Sequence, residues 1–296
     1  MTQSNKSKPN QLRKLTFTAL GTEWVIESQA LLPVAVQQSI ADRLEVYDKT
    51  YSRFRDDSVV SKIAETPGTY TFTDDFPPLF GFYKMLYDLT DGQVTPIIGR
   101  ALEQAGYDKT YSLRRSVIEA VPELDAVVLW DGATSLQTTQ PVVLDIGAAG
   151  KGYAVDMVAD ILERAAIKEY AIDASGDIRV RSEKVERIGL ENPYDQTKII
   201  GVADVHNRSL CASASNRRAW RDMHHIINPR TLEPVDAVVA TWVVADDTMT
   251  ADGLATALFF VDSPAVLLKQ FDFSYVRIMK DGMIDYSRNF EGELFT

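Results

Sequence analysis

The stretch Leu144–Asp156, LDIGAAGKGYAVD, restricts what this chain can fold into more than any other. Val142, Val143, Leu144 and Ile146 predict a buried strand, and Ala154, Val155, Val158, Ile161, Leu162 and Ala165 recur at helical spacing. Between them Gly147, Gly150 and Gly152 make a bend in which backbone groups approach a ligand closely. The helix that follows favours negative charge at its start, so the bend suits a phosphate or pyrophosphate. The Walker pattern G-x-x-x-x-G-K-[ST] does not fit, because Gly147-Ala148-Ala149-Gly150-Lys151 is too short and Gly152 follows the lysine. The dinucleotide fingerprint G-x-G-x-x-G is absent as well. A tight strand-to-helix connection with no ligand is the alternative that the bend alone leaves open.

A chain of 296 residues buries a substantial core. Its net charge of −11 argues against a general nucleic-acid binder but not against an anionic nucleotide held by a metal. Cys211 is the only cysteine, and His206, His224 and His225 the only histidines, so a disulfide, a thiolate zinc site and a His-rich metal centre are all excluded or disfavoured. The first fourteen residues, MTQSNKSKPNQLRK, are polar and lack the apolar core of a signal peptide; no later run is long enough to span a bilayer. These features lead to the expectation of a cytoplasmic protein with a flexible tail over 1–14, one domain over 15–296 and no membrane insertion.

Taken in order, Leu15–Glu27 predicts a strand turned near Leu20-Gly21-Thr22, Val34–Lys49 a helix, and Ser58 the cap of a short helix through Glu65. Tyr70–Thr73 reads as a strand, Phe76–Leu89 as an amphipathic helix, and Thr95-Pro96 as the start of another. Ala126–Trp130 and Ser135–Thr139 form a hairpin around Asp131-Gly132. Strands follow at Ile172–Arg181, Arg187–Glu191, Ile199–Val205, His225–Asn228 and Val238–Ala245, then helices at Met249–Val261 and Ala265–Phe271, then a hairpin over Tyr275–Tyr286. Mixed elements without repeats or a long linker predict a single α+β domain with two lobes, its β-sheets packed with helices.

Asp252 and Thr256 lie one helical turn apart in an otherwise apolar helix. A carboxylate plus a hydroxyl is the hard-oxygen ligation Mg²⁺ takes; a first-turn Asp with a Thr bonded back to its own helix is the alternative. His225, in HIINP, is either a structural histidine or a general base. Arg217 and Arg218 either clamp phosphate or are solvated.

Read together, these pieces resemble the ApbE family of FAD:protein FMN transferases from about Leu20 to Phe260. Leu144–Asp156 resembles that family's D-L-G-G-I-A-K-G-Y-A-V-D element. His225–Thr231 is similar to its H-I-I-D-P-R-T-G stretch, and Ala251–Ala257 to its A-D-A-L-A-T-A helix. Leu20-Gly21-Thr22 and Ser52-Arg53-Phe54 resemble its M-G-T and S-x-F/Y segments. The resemblance implies an ApbE-type, T-fold-like domain that uses FAD as substrate and Mg²⁺ as cofactor. It implies a metal held by Asp252, Thr256 and the Ala148 carbonyl, and an FAD site lined by Leu20, Phe54, Val94, Thr95, Pro96, Asp145, Lys151 and Ile226. His225 would be the catalytic base that moves FMN onto a threonine of an acceptor flavoprotein bearing a D-[GS]-x-[ST]-[SG]-A-T-like motif.

The chain departs from the family pattern at Ala64 (Asn is common), Thr95 (Asp), Asp173 and Ser175 (Asn and Gly), Ala212-Ser213-Ala214 (T-S-G), Asn228 (Asp) and Leu232 (Gly). These departures keep two other outcomes open: an FAD pyrophosphatase giving FMN and AMP, and a non-catalytic FAD-binding protein. Asp131-Gly132-Ala133-Thr134-Ser135 resembles the start of the acceptor motif, but Leu136-Gln137 replace its end and a hairpin turn explains Asp-Gly better.

Overall fold

The first hairpin is built where the sequence places it. β1 (Arg13–Ala19) and β2 (Thr22–Ser28) pair antiparallel from Arg13↔Ser28 to Ala19↔Thr22. Leu20 and Gly21 turn the chain with φ of 51° and 74°. Glycine takes such angles freely, whereas a leucine held there costs roughly 1 kcal/mol. The structure, a computed structural model, describes residues 12–295. The expected tail 1–14 therefore lies mostly outside the described residues, and Arg13 and Lys14 belong to β1.

α1 (Val34–Tyr51) and α2 (Val59–Glu65) follow, and the Ser58 hydroxyl accepts from the Ser61 N–H as an N-cap should. After β3 (Gly68–Thr71) and α3 (Phe76–Leu89), the chain makes a buried turn over 94–98 before α4 (Gly99–Ala105). Thr95-Pro96 therefore does not open the helix. Thr95 Oγ1 accepts from the Ile97 N–H at 3.4 Å and stiffens the turn instead. α5 (Leu124–Val127) is a single turn leading into β4 (Val128–Leu129), which pairs with β5 (Ser135–Thr138) across the predicted Asp131-Gly132 turn.

The strand expected at 142–146 is not a strand. Val142, Val143 and Leu144 are buried and joined to no ladder; the Val142 N–H reaches Ile63 O and the Asp145 N–H reaches Pro96 O at 2.8 Å. A β-branched run reports burial; here Val142 and Leu144 enter the main core while Val143 is covered by α4, where a Cβ on Gly99 would fall 2.6 Å from Val143 O. α6 (Gly150–Arg164) is the predicted helix. Ile172–Arg181 is two strands rather than one: β6 (Tyr170–Asp173) and β7 (Asp177–Arg181) are turned by Ser175 and Gly176 at φ 55° and 101°.

The remaining elements are β8 (Glu186–Asn192), β9 (Asp195–Val205), β10 (Ser209–Ala214), the two-residue β11 (Ala219–Trp220) and β12 (Met223–His224), β13 (Val238–Ala245), α7 (Thr248–Ala257), α8 (Ala265–Leu268), β14 (Phe273–Met279), β15 (Ile284–Tyr286) and β16 (Gly292–Leu294). The sequence reading misses β10, β11, β12 and β16, which are short or small or polar in composition, and reads Ala126 and Val127 as strand where they close the α5 turn. His225–Asn228 forms a loop with one bridge, Ile227 to Pro234, not a strand. α7 ends four residues before the predicted Val261.

Eight strands make one antiparallel sheet in the order β1-β2-β6-β7-β10-β13-β14-β15. A three-stranded sheet, β16-β9-β8, covers part of one face, where Leu190 and Val205 meet Ala240, Trp242 and Val244. α1, α3, α6 and α7 cover the other face in a second core that includes Trp24, Tyr47, Val243 and Ala245. Burial on both faces explains why β13 reads as a nearly continuous apolar run. It also gives the two-lobed reading its physical content: two cores share one sheet.

Candidate active site

α6 and α7 meet where a side chain is missing. A Cβ on Gly152 would fall 2.3 Å from the Thr248 carbonyl oxygen and 2.7 Å from Asp252 Cβ. Across this contact the helices cap each other. Asp252 Oδ2, on α7, accepts from the Gly152 N–H in the first turn of α6 at 2.9 Å. The Asp156 carboxylate, on α6, accepts from the Thr248 and Met249 N–H groups of α7 at 2.9 and 2.8 Å. Asp247 takes the Thr250 N–H, so the three leading donors of α7 are paired with carboxylates.

The glycine bend has its own donors paired. The Gly147 N–H goes to Asp145 Oδ1, the Ala148 and Ala149 N–H groups go to Tyr83 Oη, and the Gly150 N–H goes to Ile146 O. The bend's backbone donors are thus mostly consumed inside the protein. It is not an open phosphate cradle, and side chains must supply most of any anion binding. One acceptor stays available: the Gly152 N–H serves Asp252, and among the described residues no hydrogen bond reaches the Ala148 carbonyl.

Beneath the bend lies a buried charge cluster. Lys151 Nζ is 2.7 Å from Asp177 Oδ2 and donates to Ala174 O at 2.6 Å. Burial and the facing Asp177 carboxylate push Asp252 well above the usual carboxylate range, against the pull of Lys151 and the Gly152 N–H. Lys151 is held above its ordinary value, since Asp177 and Asp252 outweigh its desolvation. One ammonium cannot hold both carboxylates ionised, so Asp252 keeps a proton that an arriving cation would displace. Thr256 Oγ1, half-buried one turn beyond Asp252, makes no hydrogen bond among the described residues, so the back-bonded alternative is not what the fold uses.

A second group of residues converges on Asp145. Arg53, 3% exposed, bonds Asp145 Oδ2 through Nε and Tyr107 O through Nη1, while its Nη2 is buried without a partner. Burial alone would raise Asp145, but the Arg53 charge and the Gly147 N–H hold it below the usual range. Phe54, Tyr107, Tyr111 and Trp220 pack ring against ring beside this pair. Arg218 stands 5.8 Å from the Tyr107 ring centroid, and its carbonyl accepts the His225 N–H.

His225 Nδ1 is buried and has no hydrogen-bond partner among the described residues; burial first, then the Arg218 charge, push this imidazole down to about 3. It is therefore neutral and able to accept a proton at physiological pH. The unfolded chain, with an ordinary value of 6.5, takes up a proton in the window from about 6.5 down to 3 that the folded chain refuses, so His225 costs stability as pH falls there. His225→Gln should remove that cost. Urea melts should show the variant gaining on the parent steadily from pH 7 to pH 4; a constant difference would place the imidazole in contact with water.

Of the predicted FAD-lining residues, the Asp145–Pro96 backbone bond joins Asp145 to the buried Val94-Thr95-Pro96 turn. Phe54 lies over Arg53, with the guanidinium 4.2 Å from its ring centroid. Leu20 sits in the β1–β2 turn, next in the sheet to the β6–β7 turn that receives Lys151. Ile226 is buried with Val238 and Phe259. Sequence reasoning singled out neither Asp177, Tyr83 nor Asp156 for a role, and each acts through burial that no local pattern reveals.

The ApbE family model matches residues 20–270. The chain belongs to the ApbE family. Among curated ApbE relatives, the FAD:protein FMN transferase of Vibrio cholerae is 26% identical over 237 residues, covering 75% of this chain and 70% of that one. That of Haemophilus influenzae is 24% identical over 259 residues, covering 79% and 72%. The crystal structure of the ApbE protein of Thermotoga maritima superimposes with a TM-score of 0.81 at 25% identity, covering 94% of this chain and 97% of that one. The flavin transferase ApbE of Vibrio cholerae gives 0.80 at 23%, covering 96% and 98%. Fold class and family are as the resemblance implies.

Proposed function

We propose that this chain is an FAD:protein FMN transferase that moves FMN from FAD to a threonine hydroxyl of an acceptor protein and releases AMP. The observation that carries the reading is the buried Lys151–Asp177–Asp252 cluster at the α6–α7 contact, in a chain whose family and curated relatives are flavin transferases. Asp252, Thr256 and the Ala148 carbonyl would supply hard oxygen ligands of the kind Mg²⁺ takes; Thr256 Oγ1 and the Ala148 carbonyl make no hydrogen bond among the described residues that a metal would have to break. No group of three or more His, Cys, Asp or Glu able to hold a metal occurs among the described residues, and Mg²⁺ needs none, since it uses one or two carboxylates, waters and substrate phosphates. Bound there, the ion would neutralise pyrophosphate charge.

Leu20, Phe54, Val94, Thr95, Pro96, Asp145 and Ile226 would line the FAD site, with Lys151 holding the carboxylates in place from below. The threonine oxygen attacks the phosphorus of the FMN half, the bond to the bridging oxygen breaks, AMP leaves with that oxygen, and His225 takes the hydroxyl proton. Negative charge arriving with the pyrophosphate offsets Arg218 and raises the basicity of His225 when it is needed. The protein's own Asp131–Ser135 stretch serves as a turn: Asp131 Oδ1 accepts the Ala133 N–H and Trp130 Nε1 donates to Ala133 O.

The test is to incubate the protein with FAD, Mg²⁺ and a small domain carrying a D-G-x-T-S-A-T segment, then weigh the domain intact. A gain of one FMN is expected, and His225→Ala should slow it by about 10²-fold or more. FMN and AMP without a mass gain would make the protein a pyrophosphatase; bound FAD without turnover would make it a carrier. No helix among the described residues is long and apolar enough to cross a membrane.

A further inference from the structure

Three stretches that border the proposed site are joined by one line of side-chain amides. Asn228, in the loop after His225, donates from Nδ2 to Gln93 Oε1 at 2.8 Å. Gln93 precedes Val94-Thr95-Pro96, and its Nε2 donates to Phe260 O, just past α7, at 3.2 Å and to Thr90 O at 3.3 Å. At the other end Asn228 Oδ1 accepts from the Arg230 and Thr231 N–H groups at 2.9 and 3.3 Å.

The direction of this line is fixed by its ends. Backbone carbonyls can only accept, so Gln93 must turn its NH₂ toward Phe260 and Thr90 and its oxygen toward Asn228. Backbone N–H groups can only donate, so Asn228 must turn its oxygen toward Arg230 and Thr231 and its NH₂ toward Gln93. Position 228 therefore needs a side chain that accepts on one side and donates on the other at the same reach. Aspartate has the shape but lacks the donor. The surrounding charges do not intrude, since Arg230 is paired with Asp91 and Glu233 with Arg115. The Arg230–Asp91 pair ties the same two loops, but it is exposed at both ends and so holds them weakly.

We infer that Gln93 and Asn228 form a one-way latch that holds the His225 loop against the Val94–Pro96 turn and the end of α7, making Asn228 a positioning residue for the site. The latch rests on the proposed function only where those stretches are taken to border FAD; as a structural device it exists in the free protein. Asn228→Asp is the isosteric test. At pH 8 it sets a carboxylate oxygen against Gln93 Oε1, and Gln93 can answer only by giving up its two carbonyls.

Hydrogen exchange over 224–232 and 91–97 should quicken about tenfold relative to the parent, with α6 unchanged, and KM for FAD in AMP release should rise about tenfold while kcat changes less than threefold. As the pH is lowered through about 4, where an ordinary aspartate takes up its proton, the carboxyl of the Asn228→Asp variant comes to donate as the native amide does, and both differences should shrink. In a Gln93→Ala background, Asn228→Asp should change nothing further. The latch is overturned if Asn228→Asp exchanges like the parent at pH 8, or if its effect survives unchanged in Gln93→Ala. A parent that binds no FAD would count against the transferase, and the exchange result would still decide the latch.

Discussion

Asp252→Asn should give a protein that melts higher than the parent and transfers almost no FMN. The Asp252 carboxylate is 5% exposed, faces Asp177, and is driven toward its neutral form by burial. An asparagine keeps the acceptor for the Gly152 N–H and offers Asp177 a donor, so the helix contact survives while the cost of holding a buried carboxyl un-ionised at pH 8 is removed. Relief of that cost is worth about 1–2 kcal/mol, or roughly 2–6 °C in a domain of this size. The same change strips the charge from the proposed Mg²⁺ site and should slow transfer by about 10²–10³-fold. Thermal unfolding at pH 8 without metal, set beside the intact-mass assay, reads both. A variant that transfers normally removes Asp252 from the site. One that melts lower shows that the carboxylate is structurally required in its ionised form.

Gly152→Ala carries the largest expected loss of stability. Alanine favours a helix over glycine by about 1 kcal/mol, but its Cβ would meet a backbone carbonyl at 2.3 Å, and a carbonyl at the start of a capped helix cannot step aside cheaply. We expect a net loss of about 2–3 kcal/mol, a fall of roughly 5–10 °C, and loss of transfer as Asp252 is pushed off α6. Gly150→Ala is the control. Its new Cβ would meet the end of the Ile146 side chain at 2.4 Å, which can move. Equal losses at the two positions would mean that α6 and α7 are free to separate.

What the sequence disclosed depended on the range of the cause. The β1–β2 turn, the Ser58 cap and α6 follow from residues within a few positions of one another, and each was legible. The extended segment 142–146 was not, because alternation and branching report that side chains are buried and leave the partner unnamed; for Val143 the partner was Gly99, for Val142 and Leu144 the main core. The glycine bend showed the same limit. Its shape was readable, but the fate of its N–H groups was settled by Tyr83 and Asp252, far away in the chain. Departures from the family pattern became intelligible only in three dimensions. Thr95 keeps a turn bond to the Ile97 N–H without a carboxylate, Asn228 supplies a donor, and Leu232 occupies φ 60°, where a glycine would sit without strain.

The exchange of carboxylates between α6 and α7 bears on how the protein is made. Asp156 and Thr248 are 92 positions apart, and Gly152 and Asp252 are 100 apart, yet each helix borrows its starting bonds from the other. During synthesis α6 emerges with its first turn incompletely capped and stays so until α7 has left the ribosome. A chain stopped before Asp247 holds neither the cap nor the proposed metal ligands of α7. The proposed catalytic centre therefore cannot be completed before α7 has been made, and a chain stopped short of it should not hold the proposed ion.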